Sequence, residues 1–140
     1  VEENRPAVAE QEICGLVNGL ATQLDAHIRD RAIDLGLTAP QAVALRELAA
    51  PMTMRELAQR MSCEPSNATF IVDRLEKQGL VERGPHPTDR RAKVLTLTPA
   101  GTGTRERLMA RLTTDSPVAR LNPEEQQVLK ALLQRATGGT

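Results

Sequence analysis

Between Thr38 and Gly79 the chain opens and closes short helices in quick succession, and this limits what it can fold into more than any other feature. Thr38-Ala-Pro-Gln41 reads as a capping box with proline in the first turn, opening a helix that Pro51 stops. Thr53-Met-Arg-Glu56 is a second capping box, and Leu57, Ala58 and Met61 supply one buried stripe for the short helix it begins. After Ser62-Cys63-Glu64, Pro65 starts a further helix that runs to a stop at Gly79. The period then changes. Val81-Glu82-Arg83 is short and extended, residues 84–90 (Gly-Pro-His-Pro-Thr-Asp-Arg) form a loop, and 93–98 alternates polar and apolar residues rich in β-formers. Three short helices followed by a β-hairpin, about 38–98, is the pattern of a winged helix-turn-helix.

Longer helices flank this block. From about 7 to 35, Ile13, Leu16, Val17, Leu20, Leu24 and Ile28 recur at three- and four-residue spacing, and Gly36 is placed to end the helix. Thr98-Pro99 caps a helix reaching about Thr114, and Asn122-Pro123-Glu124-Glu125 opens the last one, with Lys130 and Arg135 late and Gly138 beyond. The chain is thus expected to be mainly α with a small β-hairpin wing. Its aromatic content supports this: with one Phe and no Trp or Tyr, the core must be built from Leu, Val, Ile, Ala and Met, which suits packed helices better than a sandwich of sheets. At 140 residues it fits one domain.

Several function classes are disfavoured. There is no apolar run near the ~20 residues a membrane span needs and no signal-peptide pattern at the N-terminus, so the expectation is a cytoplasmic protein without membrane partners. The two cysteines, Cys14 and Cys63, form no metal-ligand spacing, and the two histidines have no paired carboxylate or nucleophile motif. With no P-loop and no GxGxxG either, neither catalysis, a metal nor a cofactor is expected. Net charge is zero, but it is unevenly placed. Residues 1–51 carry four arginines against eight carboxylates, while 83–93 holds Arg83, Arg90, Arg91 and Lys93 against Asp89 alone. Such a local cluster fits a phosphate-contacting element, but on charge alone a solvated hairpin is the better reading.

The helix that begins at Pro65 is the informative one. Ala68, Ile71, Val72 and Leu75 gather on one side and belong to the core. The other side carries Ser66, Phe70, Asp73 and Lys77, flanked by Asn67, Thr69 and Arg74. Its first turn is small and hydrogen-bonding, as a helix entering a major groove end-on requires. Arg74 and Lys77, further along, suit phosphates or a guanine edge. Phe70, the only aromatic residue, falls off the apolar stripe; it either meets a thymine methyl or packs beneath the wing.

At this point the residues resemble a known family. Leu57-Ala58, residues 65–69 (Pro-Ser-Asn-Ala-Thr), 72–76 (Val-Asp-Arg-Leu-Glu), Gly79-Leu80-Val81 and Arg83 look like the helix-turn-helix of the MarR (multiple antibiotic resistance regulator) family. Residues 87–92 (Pro-Thr-Asp-Arg-Arg-Ala) through 97–101 (Leu-Thr-Pro-Ala-Gly) look like its wing and the entry to the next helix. The match runs from about 53 to 101; the flanking helices match only in length and order.

The resemblance implies a homodimer on double-stranded DNA, with 1–36 and 99–140 as the helical dimerisation region and 37–98 as the winged helix-turn-helix. Ser66, Asn67, Thr69, Phe70, Arg74, Lys77, Arg90 and Arg91 would contact DNA. Arg91 matches the family's wing arginine and Asp89 its orienting carboxylate, while His86 is simply a loop residue. Two-fold symmetry implies a pseudo-palindromic operator with half-sites about one DNA turn, ~34 Å, apart. A ligand-responsive repressor is the family default. The effector, small and anionic or aromatic, would sit between the dimerisation and DNA-binding regions, where His27 or Arg46 are the weak candidates; both also read as ordinary surface or satisfied residues. Some family members sense peroxide through a cysteine near the start of the first helix, activated by tyrosines. Cys14 is close to that place, but this chain has no tyrosine, and a buried structural thiol is the better reading; Cys63, just before the recognition helix, reads as a half-buried structural residue. The alternatives are a thiol-based redox sensor working through Cys14 and a winged helix serving as a protein-interaction module.

Overall fold

A computed structural model describes residues 5–139 and is mostly helical with one small sheet. In chain order the elements are α1 (Arg5–Ile33), α2 (Ala39–Glu47), β1 (Met52–Thr53), α3 (Met54–Met61), α4 (Pro65–Lys77), β2 (Val81–Pro85), β3 (Lys93–Leu97) and α5 (Pro99–Leu112). A 3₁₀ turn (Pro117–Arg120) and α6 (Pro123–Ala136) complete it. Residues 28–112 form one compact unit; 5–27 and 113–139 form another.

The helix starts lie where the caps place them. Thr38 with Gln41, Thr53 with Glu56 and Asn122 with Glu125 each make the reciprocal pair of bonds that satisfies two otherwise orphaned N–H groups. The helix-turn-helix bend turns on Ser62, which caps α3 in the left-handed region at φ +54°, so that α4 can begin at Pro65 three residues later.

The sheet is larger than a hairpin. Its order is β1-β3-β2, all antiparallel, with Met52 opposite Leu95 and Thr53 opposite Val94. Strand β2 also continues through Gly84 and Pro85, which pair with Val94 and Lys93, where a loop is expected from sequence. Proline is tolerated there because β2 is an edge strand.

The core of the 28–112 unit collects Ile28 and Ala32 from the end of α1, Leu45 and Leu48, Met52, Leu57, Val72 and Leu75, Val81, Leu95 and Leu108. Its helices are tied down by specific polar contacts. The Arg105 side chain donates to the carbonyls of Leu45 and Arg46 at 2.9–3.3 Å, covering the last turn of α2. The Thr98 hydroxyl donates to Gly79 O at 2.6 Å and accepts from Gly101 N at 3.0 Å, joining the end of α4 to the start of α5. Gly101 is needed at that crossing: a β-carbon there would sit 1.9 Å from the Leu80 carbonyl oxygen.

The other unit differs. Residues 7–19 of α1 are exposed throughout, including Val8, Ile13, Leu16 and Val17, and α6 exposes Val128, Leu132 and Leu133 with no buried residue.

Candidate nucleic-acid interface

Helix α4 is anchored on its inner side by Ala68, Val72 and Leu75, each fully buried, with Ile71 half-buried. That rotation leaves Ser66, Asn67, Phe70, Arg74 and Lys77 exposed along the outer side. Thr69 is half-buried, and its hydroxyl donates to Pro65 O at 2.9 Å, so toward a ligand it offers only lone pairs. Phe70 does not pack beneath the wing. Its side chain is 60% exposed, and the Arg74 guanidinium lies over the ring, 4.8 Å from the centroid.

Asp73, assigned to the outer face from periodicity, turns toward the wing instead. Arg83 on β2 bonds to Asp73 and reaches Glu76 at 3.5 Å, so one arginine ties the base of the wing to the back of α4. Arg83 is therefore committed to two carboxylates rather than left with the rest of the basic cluster. This pairing brings together residues ten positions apart through the fold, and no local pattern announces it.

The wing tip is organised by a short chain of hydrogen bonds. His86 Nδ1 accepts the backbone N–H groups of Thr88 at 3.2 Å and Asp89 at 3.0 Å, which places the ring proton on Nε2. Asp89 Oδ1 in turn accepts the Arg91 N–H at 2.9 Å. Asp89 thus holds the backbone of Arg91 rather than its guanidinium, and His86, expected to be an ordinary loop residue, sets the shape of the turn. Arg90 and Arg91 are both exposed.

Between the start of α3, Thr69 of α4 and the wing lies an open cleft of about 540 Å³. Thr53, Arg55, Thr69, Arg83, Asp89, Arg91 and Lys93 contribute to its lining. With Arg83 held by Asp73 and Glu76, Arg55, Arg91 and Lys93 remain without an ion-pair partner among the described residues. Three cations facing one carboxylate make a concavity suited to phosphate. Sequence reasoning did not weigh Arg55. Its signal was available: it lies inside the Thr53–Glu56 capping box, off the stripe of Leu57, Ala58 and Met61.

The remaining sequence candidates lie elsewhere. Arg46 pairs with Glu47 at 3.3 Å, and His27 is half-buried on α1. Cys14 is exposed in the chain, against the expected burial, because it lies in the bare stretch of α1; Cys63 is half-buried as expected. Among the described residues no helix is long and apolar enough to cross a membrane, and no cluster of His, Cys, Asp or Glu could hold a metal ion.

Residues 37–93, the segment that carries α2 through the start of β3, match the MarR family model. Over this segment the chain is similar to the MarR family. Members of this family are transcription regulators, not enzymes. The HTH-type transcriptional repressor NicR of Pseudomonas putida is 26% identical over 137 residues, covering 95% of this chain and 87% of that protein. The HTH-type regulator YsmB of Bacillus subtilis is 40% identical over 67 residues, 46% of each chain. Matches to this and the other similar B. subtilis regulators span 46% to 62% of those proteins' length. Among solved structures, a mutant of MarR from E. coli complexed with operator DNA superposes with a TM-score of 0.71 at 27% identity, over 89% of this chain and 93% of that one. AbsC, a MarR family regulator from Streptomyces coelicolor, gives 0.75 at 22% identity over 93% of each, a likeness of fold alone. The segment similar to the MarR family is thus the one that carries α4 and much of the wing and the cationic cleft.

Proposed function

We propose that this chain is a sequence-specific, DNA-binding transcription repressor that acts in the cytoplasm as a homodimer on a pseudo-palindromic operator. The observation that carries the reading is the joint exposure, on one unit, of the polar outer side of α4 and the unpaired cations of the adjoining cleft and wing. Ser66 and Asn67 stand in the first exposed turn of α4 and reach base edges. Thr69, with its proton committed to Pro65, accepts from a base amino group. Lys77, Arg55 and Lys93 contact phosphates, which position the protein without reading sequence. Arg90 and Arg91 enter the neighbouring minor groove, whose concentrated negative potential favours a guanidinium, and Asp89 fixes the backbone from which Arg91 projects.

The exposed stripe of α1 (Val8, Ile13, Leu16, Val17) and that of α6 (Val128, Leu132, Leu133) support dimerisation through 1–36 and 99–140, because apolar surface of this extent is covered in an assembly. Cys14 lies in the same stretch, so a partner covers it and it has a structural role rather than a redox one. Control by a small ligand is supported by a neighbour of the same fold: a structure of BpsR from Bordetella bronchiseptica (TM-score 0.74, 24% identity) is described as showing regulation of DNA binding by 6-hydroxynicotinic acid. Neither His27 nor Arg46 is assigned to such a ligand, Arg46 being paired with Glu47.

The test is selection of bound fragments from random DNA by the purified protein, followed by a salt titration on the selected duplex. A palindrome is expected, and Lys93→Ala should lower the log–log salt slope by ~0.9 for each phosphate that the side chain no longer neutralises. If no sequence is enriched even at low salt, the winged helix is a protein-interaction module and the proposal fails.

A further inference from the structure

The outer side of α4 pairs an arginine with an exposed aromatic ring. Arg74 lies next in sequence to Asp73 and two residues from Glu76, yet both carboxylates are taken by Arg83. Among the described residues Arg74 has no carboxylate partner; its guanidinium lies over Phe70, one helical turn earlier, 4.8 Å from the ring centroid. Phe70 is the chain's only aromatic residue and is 60% exposed. A cation over a ring at this distance is attracted by the ring's quadrupole, and the contact leaves the edge N–H groups of the guanidinium available.

Resting on the DNA-binding reading above, we infer that Phe70 and Arg74 act as one unit that reads a TpG step in each half-site. An arginine edge matches guanine O6 and N7 with two parallel bonds, and an apolar side chain in the major groove matches the thymine methyl. Two side chains in contact with each other meet neighbouring base pairs, so the guanine and the thymine are adjacent. The order is thymine before guanine because a pyrimidine–purine step unstacks easily and opens the thymine methyl to a ring beside it. Arg83 is the enabling residue. By occupying Asp73 and Glu76 it keeps them from competing with the guanine for Arg74. Lys77, a compact charge without the planar fork, is left to the backbone.

The experiment uses the duplex selected from random DNA by the full chain. Binding of the wild type, Phe70→Ala and Arg74→Lys is measured on that duplex and on versions with uracil for the thymine or 7-deazaguanine for the guanine. Phe70 and Arg74 are surface residues, so both variants should fold, and each checks the other. The selected half-site should contain TpG. The wild type should lose about tenfold or more with 7-deazaguanine, and about fourfold with uracil, the value of one buried methyl group. Phe70→Ala should bind the thymine and uracil duplexes equally, and Arg74→Lys, lacking the planar fork, should distinguish guanine from 7-deazaguanine less than the wild type does. A selected palindrome without TpG, or one whose affinity ignores both base changes, overturns this inference and leaves the DNA-binding reading standing. Failure to select any sequence overturns both.

Discussion

Residues 28–112 close a core around Leu45, Leu57, Leu75 and Leu95 and turn polar and cationic side chains outward, whereas residues 5–27 and 113–139 leave Ile13, Leu16, Val17 and Leu132 exposed. One chain thus carries a finished unit and an unfinished one. The stripe along α1 shows the change within a single helix: Ile28 is 3% exposed, Leu24 and Leu20 are half-buried, and Leu16 is 74% exposed. The same periodic pattern is therefore met by intrachain packing at one end and left open at the other. A finished unit presents chemistry suited to a charged polymer, and an unfinished one presents surface suited to another apolar face.

Substitutions on the two sides should separate this difference. The largest effect is expected in the closed core, where Leu75→Ala should cost about 2–5 kcal/mol in urea unfolding. If Leu75→Ala were as mild as a surface change, the 28–112 core would not be what holds the fold. Leu16→Glu should leave the winged helix intact but weaken self-association by about 1.5–3 kcal/mol per protomer side chain, read by sedimentation equilibrium. Unchanged self-association would mean that the α1 stripe is covered by something other than a second copy.

A smaller change in stability, at most about 1 kcal/mol, is expected for Arg83→Met, because its pairs with Asp73 and Glu76 are partly solvent-exposed. DNA affinity should fall by more than stability does, since two carboxylates beside α4 lose their counter-charge; equal falls would reduce Arg83 to a structural role. The mildest effect should come from His86→Ala, which removes the acceptor for the Thr88 and Asp89 N–H groups. Faster amide exchange at those two residues, with no shift in the unfolding midpoint, is the expected signature.

Most of the fold is legible in the sequence, and the exceptions share a cause. Helix starts are encoded locally by Thr38, Thr53 and Asn122, so they are read correctly. Strand β1 is two residues long and exists only through pairing with Leu95 and Val94, some forty positions away, so no periodicity marks it. Gly84 and Pro85 look like a loop because their composition is judged without the partner strand that they join. The 3₁₀ turn at Pro117–Arg120 is likewise too short to carry a pattern. In the candidate interface, the exposure of Ser66, Asn67, Phe70, Arg74 and Lys77 follows from helical periodicity alone. The Arg83 pairs, the His86 acceptor and the exposure of Cys14 do not, because each depends on which segments the fold brings together or leaves apart.

Under the proposed function, the unfinished helical unit pairs two copies of the finished winged helix on one DNA site. The most direct test is the mass of the complex formed on a duplex selected from random DNA, measured by sedimentation or native mass spectrometry. Two protomers on one pseudo-palindromic duplex is the predicted result. A single protomer per duplex, or no complex at low salt, would contradict it.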